Sequence, residues 1–197
     1  MAWEFFHELG RKIIHLAILF VIAGYFLVKQ AFGQAIALLS LVAVLLIFLG
    51  LEYIRLEMGM KLPFFQQFIR TKEQDRMYGV IFFMSAAIIC LAVFDMVIAL
   101  TALLMTTFGD MAAAIAGKKY GTTILFRNKT AVGFGAELLV NLAVAVAMSL
   151  FFTFNIYIPI VMAFVATVSE VVVDELDDNL VVPIVSGFVG QLLLLSL

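Results

Sequence analysis

The stretch with the clearest chemical potential places a carboxylate inside an apolar, alanine-rich run. Asp110 follows Gly109 and precedes residues 111–116, which carry no charge. A charged side chain in an apolar helix is costly, so it is usually paired or takes part in function. We therefore interpret Asp110 as a functional carboxylate, either a metal ligand or a base.

A basic loop follows this helix. It contains no acidic residue between 117 and 131, and its basic residues are Lys118, Lys119, Arg127 and Lys129. Gly117, Gly121, Thr130 and Gly133 lie among or beside them. Backbone amides can approach phosphate oxygens where no side chain intrudes, so the loop predicts a polyphosphate site. Two simpler interpretations stay open: positive charge that fixes topology, and helix packing through Gly109, Ala113 and Gly117.

A third group of residues is acidic. Five acids fall within nine residues, namely Glu170, Asp174, Glu175, Asp177 and Asp178, and Asn179 follows them. Hard oxygen ligands suit Mg²⁺, which proteins usually bind through one or two carboxylates together with substrate phosphates. We expect Glu170, Asp177 and Asp178 to bind the metal, and a solvated turn is the alternative.

The composition decides what kind of protein must position these groups. The chain has 197 residues, of which 65% are hydrophobic and 13% are charged, and its mean hydropathy is +1.17. A soluble domain of this size cannot bury so much apolar surface, so we expect an integral membrane protein. The single cysteine, Cys90, excludes an internal disulfide and a cysteine metal cluster.

Runs of about 20 apolar residues predict the membrane spans. We predict seven, at residues 13–28, 35–51, 78–94, 96–116, 132–154, 156–172 and 180–197. No internal repeat or low-complexity segment is visible, so residues 1–197 are predicted to form one all-α domain, a polytopic membrane helix bundle. Residues 63–70 begin with a proline and place apolar side chains on one side, which predicts a short helix in the interface or against the bundle.

The basic residues predict the orientation of the bundle. With seven spans, eleven of the twelve lysines and arginines fall on one side and only Lys29 falls on the other. Positive charge favours the cytoplasmic side, so we expect a cytoplasmic N-terminus and a C-terminus outside.

Antiparallel threading then collects polar groups at one boundary. His15, Glu52, Asp110, Glu137 and Glu170 approach the cytoplasmic side, with Asn141 one turn deeper than Glu137, whereas Asp95, Asn155 and Gln191 do not. We therefore expect a site at the cytoplasmic membrane surface, open to the cytosol and to lipid headgroups.

Several motifs occur in a fixed order along the chain. Glu8, Arg11, Lys12 and His15 share one helix face because they recur at i, i+3, i+4 and i+7. After them come Glu52 with Arg55, the region from Gly109 and Asp110 to Gly121, Lys129-Thr130-x-x-Gly133, and Glu170 with Asp177-Asp178-Asn179-Leu180-x-x-Pro183. Each motif is short, but the ordered set, over residues 8–183, resembles the dolichol kinase, phytol kinase and CTP-dependent diacylglycerol kinase family of membrane enzymes.

The resemblance implies transfer of the γ-phosphate of CTP, or sometimes UTP, to a membrane lipid alcohol with the help of Mg²⁺. The metal would be held by Asp110, Glu170, Asp177 and Asp178. The nucleotide would be bound by Arg11, Lys12, His15, Gly109, Gly117, Lys118, Gly121, Lys129, Thr130, Gly133 and Asn179. Asp110 or Glu137 would accept the alcohol proton, Lys129 would neutralise phosphate, and Glu8, Glu52 and Arg55 would complete the site. The expected partners are CTP, the lipid alcohol and the bilayer, with no nucleic acid.

Two other classes of function stay open. A phosphatidate cytidylyltransferase-like enzyme also uses CTP in the membrane, but the long terminal signature ending in Asp-Arg-x-Asp is absent here. A small transporter would also place charges in its spans, typically near the bilayer midplane and in two repeated halves. Within the kinase interpretation, polyprenols, phytol, geranylgeraniol and diacylglycerol are all compatible acceptors.

Overall fold

The computed structural model describes residues 19–58, 79–127, 129–173 and 176–197. Within these ranges, the chain forms seven helices and one short β-hairpin. The helices are α1 (Leu19–Phe32), α2 (Gln34–Met58), α3 (Gly79–Val93), α4 (Met96–Tyr120), α5 (Ala131–Phe152), α6 (Tyr157–Val172) and α7 (Asp178–Ser196). The antiparallel strands are β1 (Ile124–Phe126) and β2 (Lys129–Thr130). The predicted short helix at 63–70 lies outside the described residues.

The predicted all-helical class is confirmed, and every described helix overlaps one predicted span, although α1 and α2 end four and seven residues later than predicted. Four of these helices, α2, α4, α5 and α7, are long and apolar enough to cross a membrane, whereas α1, α3 and α6 are apolar but shorter. With 25 residues, α4 extends over about 37 Å, which exceeds the roughly 30 Å of a hydrocarbon core. The chain therefore has the helices of a membrane protein.

The chain divides into two compact units, Met1–Ile88 and Ile89–Leu197. In the first unit, Gly33 separates α1 from α2 with a φ of 88°, a left-handed conformation that glycine adopts without strain. On α2, the guanidinium of Arg55 binds the buried Glu52 carboxylate through two hydrogen bonds, from Nε to Oε2 at 2.9 Å and from Nη2 to Oε1 at 2.7 Å. The second unit contains α4 to α7 and the hairpin.

In the second unit, α4 packs against α5, α6 and α7. The core between these helices consists of small and medium apolar side chains, namely Ile98, Ala102, Met105, Ala145, Ile158, Met162, Ala163, Ala166 and Val182. Small residues let helix backbones approach closely. In lipid the hydrophobic effect does not drive helices together, so their association depends on such close van der Waals packing.

The second unit exposes large apolar side chains and buries several polar ones. Large apolar side chains such as Leu139, Leu150 and Phe151 are exposed on its exterior, whereas Thr101, Thr107 and Ser186 are buried. These hydroxyls each donate to the carbonyl four residues earlier in the same helix, with distances of 2.6, 2.8 and 2.7 Å. The buried polar groups are thereby satisfied locally, and the apolar exterior fits a lipid environment.

Polar residues also mark the end of the second unit where α4 begins. The carboxylate of Asp95 accepts from Val97 N at 2.9 Å and caps α4, and Asp95 N donates to Gln191 Oε1 at 2.7 Å. Asn155 Oδ1 accepts from Tyr157 N at 3.1 Å at the start of α6. Asp95, Asn155 and Gln191, which the sequence did not place at the cytoplasmic boundary, thus stabilise the starts of α4 and α6 and a contact between α7 and the start of α4.

The basic loop is shorter than predicted and contains a hairpin. Helix α4 continues to Tyr120 instead of ending at 116, so Lys118 and Lys119 lie in its last turn, where cations complement the helix dipole. The hairpin that follows, with Ile124 opposite Thr130 and Phe126 opposite Lys129, was not predicted. Arg127 enters its turn with a φ of 51°, as two-residue hairpin turns require.

Candidate functional site

Three carboxylates from three helices converge in the second unit. Asp110 lies on α4, Glu170 lies in the last turn of α6, and Asp178 is the first residue of α7. One carboxylate oxygen from each lies within 4.8 Å of the other two. Glu170 is buried, whereas Asp110 and Asp178 are partly exposed. The cluster is therefore a concentrated negative charge with an accessible side.

Lys129 supplies a positive charge to this cluster. It lies on β2, and its Nζ donates to Glu170 Oε1 at 2.7 Å and lies 3.7 Å from Asp178 Oδ2. Burial alone lowers the pKa of Lys129, but the attraction of Glu170 and Asp178, and more weakly of Asp110, outweighs burial and raises the pKa above its ordinary value. The ammonium group is therefore charged at neutral pH.

Glu137 lies beside the cluster on α5 and is buried. Its carboxyl group lies near that of Glu170. Glu137 therefore adds a buried acid beside the three clustered carboxylates.

A second polar contact lies one helical turn deeper than Glu137. Asn141 Nδ2 donates to Thr167 Oγ1 at 3.0 Å, and Thr167 Oγ1 donates to Ala163 O at 2.9 Å. Both side chains are fully buried, and among the described residues Asn141 Oδ1 has no hydrogen-bond partner. A Cβ at Gly109 would lie 2.5 Å from this oxygen, so glycine is required where Asn141 meets α4.

Thr130 connects the hairpin to both neighbouring helices. Its Oγ1 accepts from Gly133 N at 3.1 Å and caps α5. A Cβ at Gly117 would approach this hydroxyl to 2.9 Å, and one at Gly121 would approach it to 2.6 Å. The amide of Gly121 donates to Gly117 O at 2.9 Å. The amides of Gly121 and Gly133 thus already have partners, and these glycines allow close packing around Thr130.

The acidic turn before α7 separates into residues with different roles. The carboxylate of Asp177 caps α7, accepting from Asn179 N at 3.0 Å and from Asn179 Nδ2 at 2.7 Å. Asp178 is the member of the turn that joins the carboxylate cluster. Asn179 is buried and holds the cap of the helix that carries Asp178. Asp174 and Glu175 lie outside the described residues.

The structure thus brings together five of the residues singled out in the sequence: Asp110, Lys129, Glu137, Glu170 and Asp178. Glu52 and Arg55 form their own ion pair on α2 in the first unit. Glu8, Arg11, Lys12 and His15 lie outside the described residues. Sequence reasoning missed Thr167, whose only signal was its position three residues before Glu170 on an otherwise apolar helix.

No family model, curated protein or solved structure matches the chain.

The chemistry of the site follows from its donor set. The three clustered carboxylates supply only oxygen ligands, which suits a hard divalent cation and not a soft one. With Lys129 charged, three ionised carboxylates leave two negative charges, which one divalent cation would balance. Around an octahedral Mg²⁺, adjacent oxygens are about 3.0 Å apart and opposite ones about 4.2 Å. The three carboxylate oxygens lie within 4.8 Å of one another, so they need to approach by up to roughly 1.8 Å to bind one ion together. The residues present therefore fit such an ion.

Proposed function

We propose that this protein is a CTP-dependent lipid kinase that transfers the γ-phosphate of CTP to the hydroxyl of a membrane lipid alcohol. The observation that supports the proposal best is the convergence of Asp110, Glu170 and Asp178 with the ammonium of Lys129 in a protein of membrane helices. Enzymatic phosphoryl transfer depends mainly on positioning and on neutralising phosphate oxygens, and carboxylate-bound Mg²⁺ with a lysine is suited to that task.

The roles follow from position and exposure. Asp110, Glu170 and Asp178 would hold Mg²⁺, which when bound neutralises charge on the phosphates. Lys129 would contact the transferred phosphate, since its side chain is 35% exposed and its nitrogen already lies at the cluster. Lys118 would contact the distal part of the nucleotide. Because the amides of Gly121 and Gly133 are engaged, the side chains carry more of this binding than the glycines.

The acceptor hydroxyl must lose a proton during the reaction. Of the two candidate proton acceptors, Asp110 is partly exposed and Glu137 is buried. We therefore assign proton acceptance from the alcohol to Asp110. The lipid chain would lie between helices, with its hydroxyl at headgroup level.

The proposal includes a topology of seven spans with the site on the cytoplasmic face. It is supported by seven apolar helices in the described ranges and by the distribution of lysine and arginine, of which eleven in twelve fall on one side. The positions of Asp95, Asn155 and Gln191 at helix ends away from the carboxylate cluster agree with it.

The test is a labelling assay with purified protein and a panel of prenols, diacylglycerol and phosphatidate, in which CTP labelled at the α- or the γ-phosphate is supplied separately. The proposal predicts γ-label, and no α-label, on at least one lipid. The α-label on lipid would indicate a cytidylyltransferase instead, and an unlabelled panel would contradict both enzymes.

A matched pair of variants tests the site. Asp110→Asn should abolish transfer because it removes a charged ligand. Asp95→Asn changes the same chemical group about 22 Å away along α4 and keeps a good helix cap, so it should leave transfer unchanged. Full activity in Asp110→Asn would refute the assigned site.

A further inference from the structure

The β-hairpin carries an apolar surface that the described residues do not cover. Ile124, Leu125 and Phe126 make up the whole of β1 and are 65%, 51% and 47% exposed. Successive residues of a strand point to opposite faces, so both faces of β1 are uncovered. Three consecutive large apolar side chains in water are unfavourable, and a nonpolar surrounding is therefore expected for this strand.

The position of the hairpin indicates what that surrounding is. It follows α4, which is long enough for Tyr120 at its end to reach a membrane interface. The contacts of Thr130 with Gly117 and Gly121 hold the base of the hairpin against the last turn of α4. The exposed strand is thereby held beside the end of α4 that is expected to reach the interface.

The charges around the strand indicate the kind of lipid. Lys119 Nζ lies 5.1 Å from the centroid of the Tyr120 ring, and the Arg127 guanidinium lies 5.1 Å from that of Phe126. Aromatic rings with long basic side chains are typical of membrane interfaces, where the ring stays at the boundary and the charge reaches the headgroups. Residues 118–127 include three basic residues and no acid, which favours anionic headgroups.

We propose that the hairpin is a second membrane contact of the protein, in which Ile124, Leu125 and Phe126 insert into the bilayer interface and Lys119 and Arg127 bind anionic lipid headgroups. Phe126 of β1 lies opposite Lys129 of β2. Insertion of β1 into the bilayer would therefore also hold β2, which places the Lys129 ammonium at Glu170. The proposal depends on the membrane character of the helices and is independent of the kinase function.

The experiment uses the full chain in nanodiscs. Cys90, the only cysteine, is replaced by alanine, and a spin label is attached at Leu125→Cys. Electron paramagnetic resonance then compares the accessibility of the label to oxygen and to a water-soluble nickel complex. A label at Leu139→Cys, on the exterior of α5 where Leu139 is 71% exposed, gives the bilayer-interior reference.

We expect the label at 125 to lie about 5–10 Å below the headgroups in nanodiscs containing roughly 30 mol% phosphatidylglycerol, and to lie shallower in neutral phosphatidylcholine. Lys119→Gln with Arg127→Gln should shift the inserted population toward water by about fivefold for each charge removed. Phe126→Trp in a Trp3→Phe background gives an independent measurement, because brominated lipids should quench its fluorescence.

Two results would overturn the proposal. One is nickel accessibility at 125 equal to that of free label in both nanodiscs, with no quenching at 126. The other is protection of both positions only after CTP is added, which would show that the strand covers a nucleotide instead of contacting lipid.

Discussion

Replacing Lys129 with methionine tests how strongly the carboxylate cluster depends on its internal cation. Methionine keeps the length and apolar part of the side chain but leaves Glu170, whose side chain is 3% exposed, without its 2.7 Å partner. Breaking a fully buried ion pair costs about 3–5 kcal/mol, and an exposed pair contributes at most about 1 kcal/mol.

The expected loss lies between these limits. The Lys129 side chain is 35% exposed, so solvent screens part of the attraction, and we expect destabilisation of about 2 kcal/mol. For a chain of this length, that corresponds to a decrease in Tm of about 4–8 °C. Thermal unfolding of the purified protein in detergent, measured by circular dichroism without divalent cations, gives the comparison.

Two further variants separate the ion pair from a general loss of charge. Lys119→Met removes an equal charge from the last turn of α4, where the ammonium lies over an aromatic ring, and should change Tm by less than about 2 °C. Adding Glu170→Gln to Lys129→Met should restore much of the lost stability, because no uncompensated buried charge remains. Equal Tm values for the wild type and Lys129→Met, or strictly additive effects in the double variant, would refute this account of the cluster.

Three other predictions address pH, packing and capping. The raised pKa of Lys129 means that the lysine side of its stabilising contribution is complete below the ordinary value of 10.5 and disappears as the pH rises through the higher folded value. The Tm difference between the wild type and Lys129→Met should therefore shrink in strongly alkaline buffer, and a difference that stays constant there would contradict this. Gly109→Ala should destabilise by about 1–3 kcal/mol because its Cβ would meet the Asn141 side chain, whereas Gly135→Ala, with nothing within 4 Å of its Cβ, should be neutral or stabilising in the same unfolding assay. Thr130→Ala should cost about 1 kcal/mol through loss of the α5 cap, measured by chemical denaturation, and an unchanged midpoint would show that the cap contributes nothing.

The helices were predictable because long apolar runs in the sequence are sufficient to determine them. A backbone inside lipid must satisfy its own hydrogen bonds, so every long apolar run becomes a helix. The approach of Asp110 and Glu170 also followed from threading antiparallel helices, which needs only the length of each run. These are features for which the order of polar and apolar residues is sufficient.

The detailed composition of the site was not predictable in the same way. The loop offers four basic residues, and the one that meets Glu170 depends on a hairpin whose register is fixed by a left-handed turn at Arg127. Asp178 joins the cluster because α7 begins there, while its neighbour Asp177 is used as the cap. If α7 began one residue later, Asp178 would be the cap, and a one-residue shift of the hairpin register would move Lys129 away from Glu170. Composition does not predict helix starts or strand registers to one residue.

The contacts of Thr130 with α4 and α5 affect how the Lys129 ammonium can leave the carboxylate cluster. Its hydroxyl lies against Gly117, Gly121 and Gly133, so the residue after Lys129 is fixed to α4 and α5 together. The ammonium can then leave Glu170 by rotation of its own side chain while the backbone of the hairpin stays in place. Such rotations take picoseconds to nanoseconds, far faster than loop opening. Release of the Lys129 ammonium therefore requires a change of one side-chain rotamer and the loss of its ion pair with Glu170, but no opening of the hairpin.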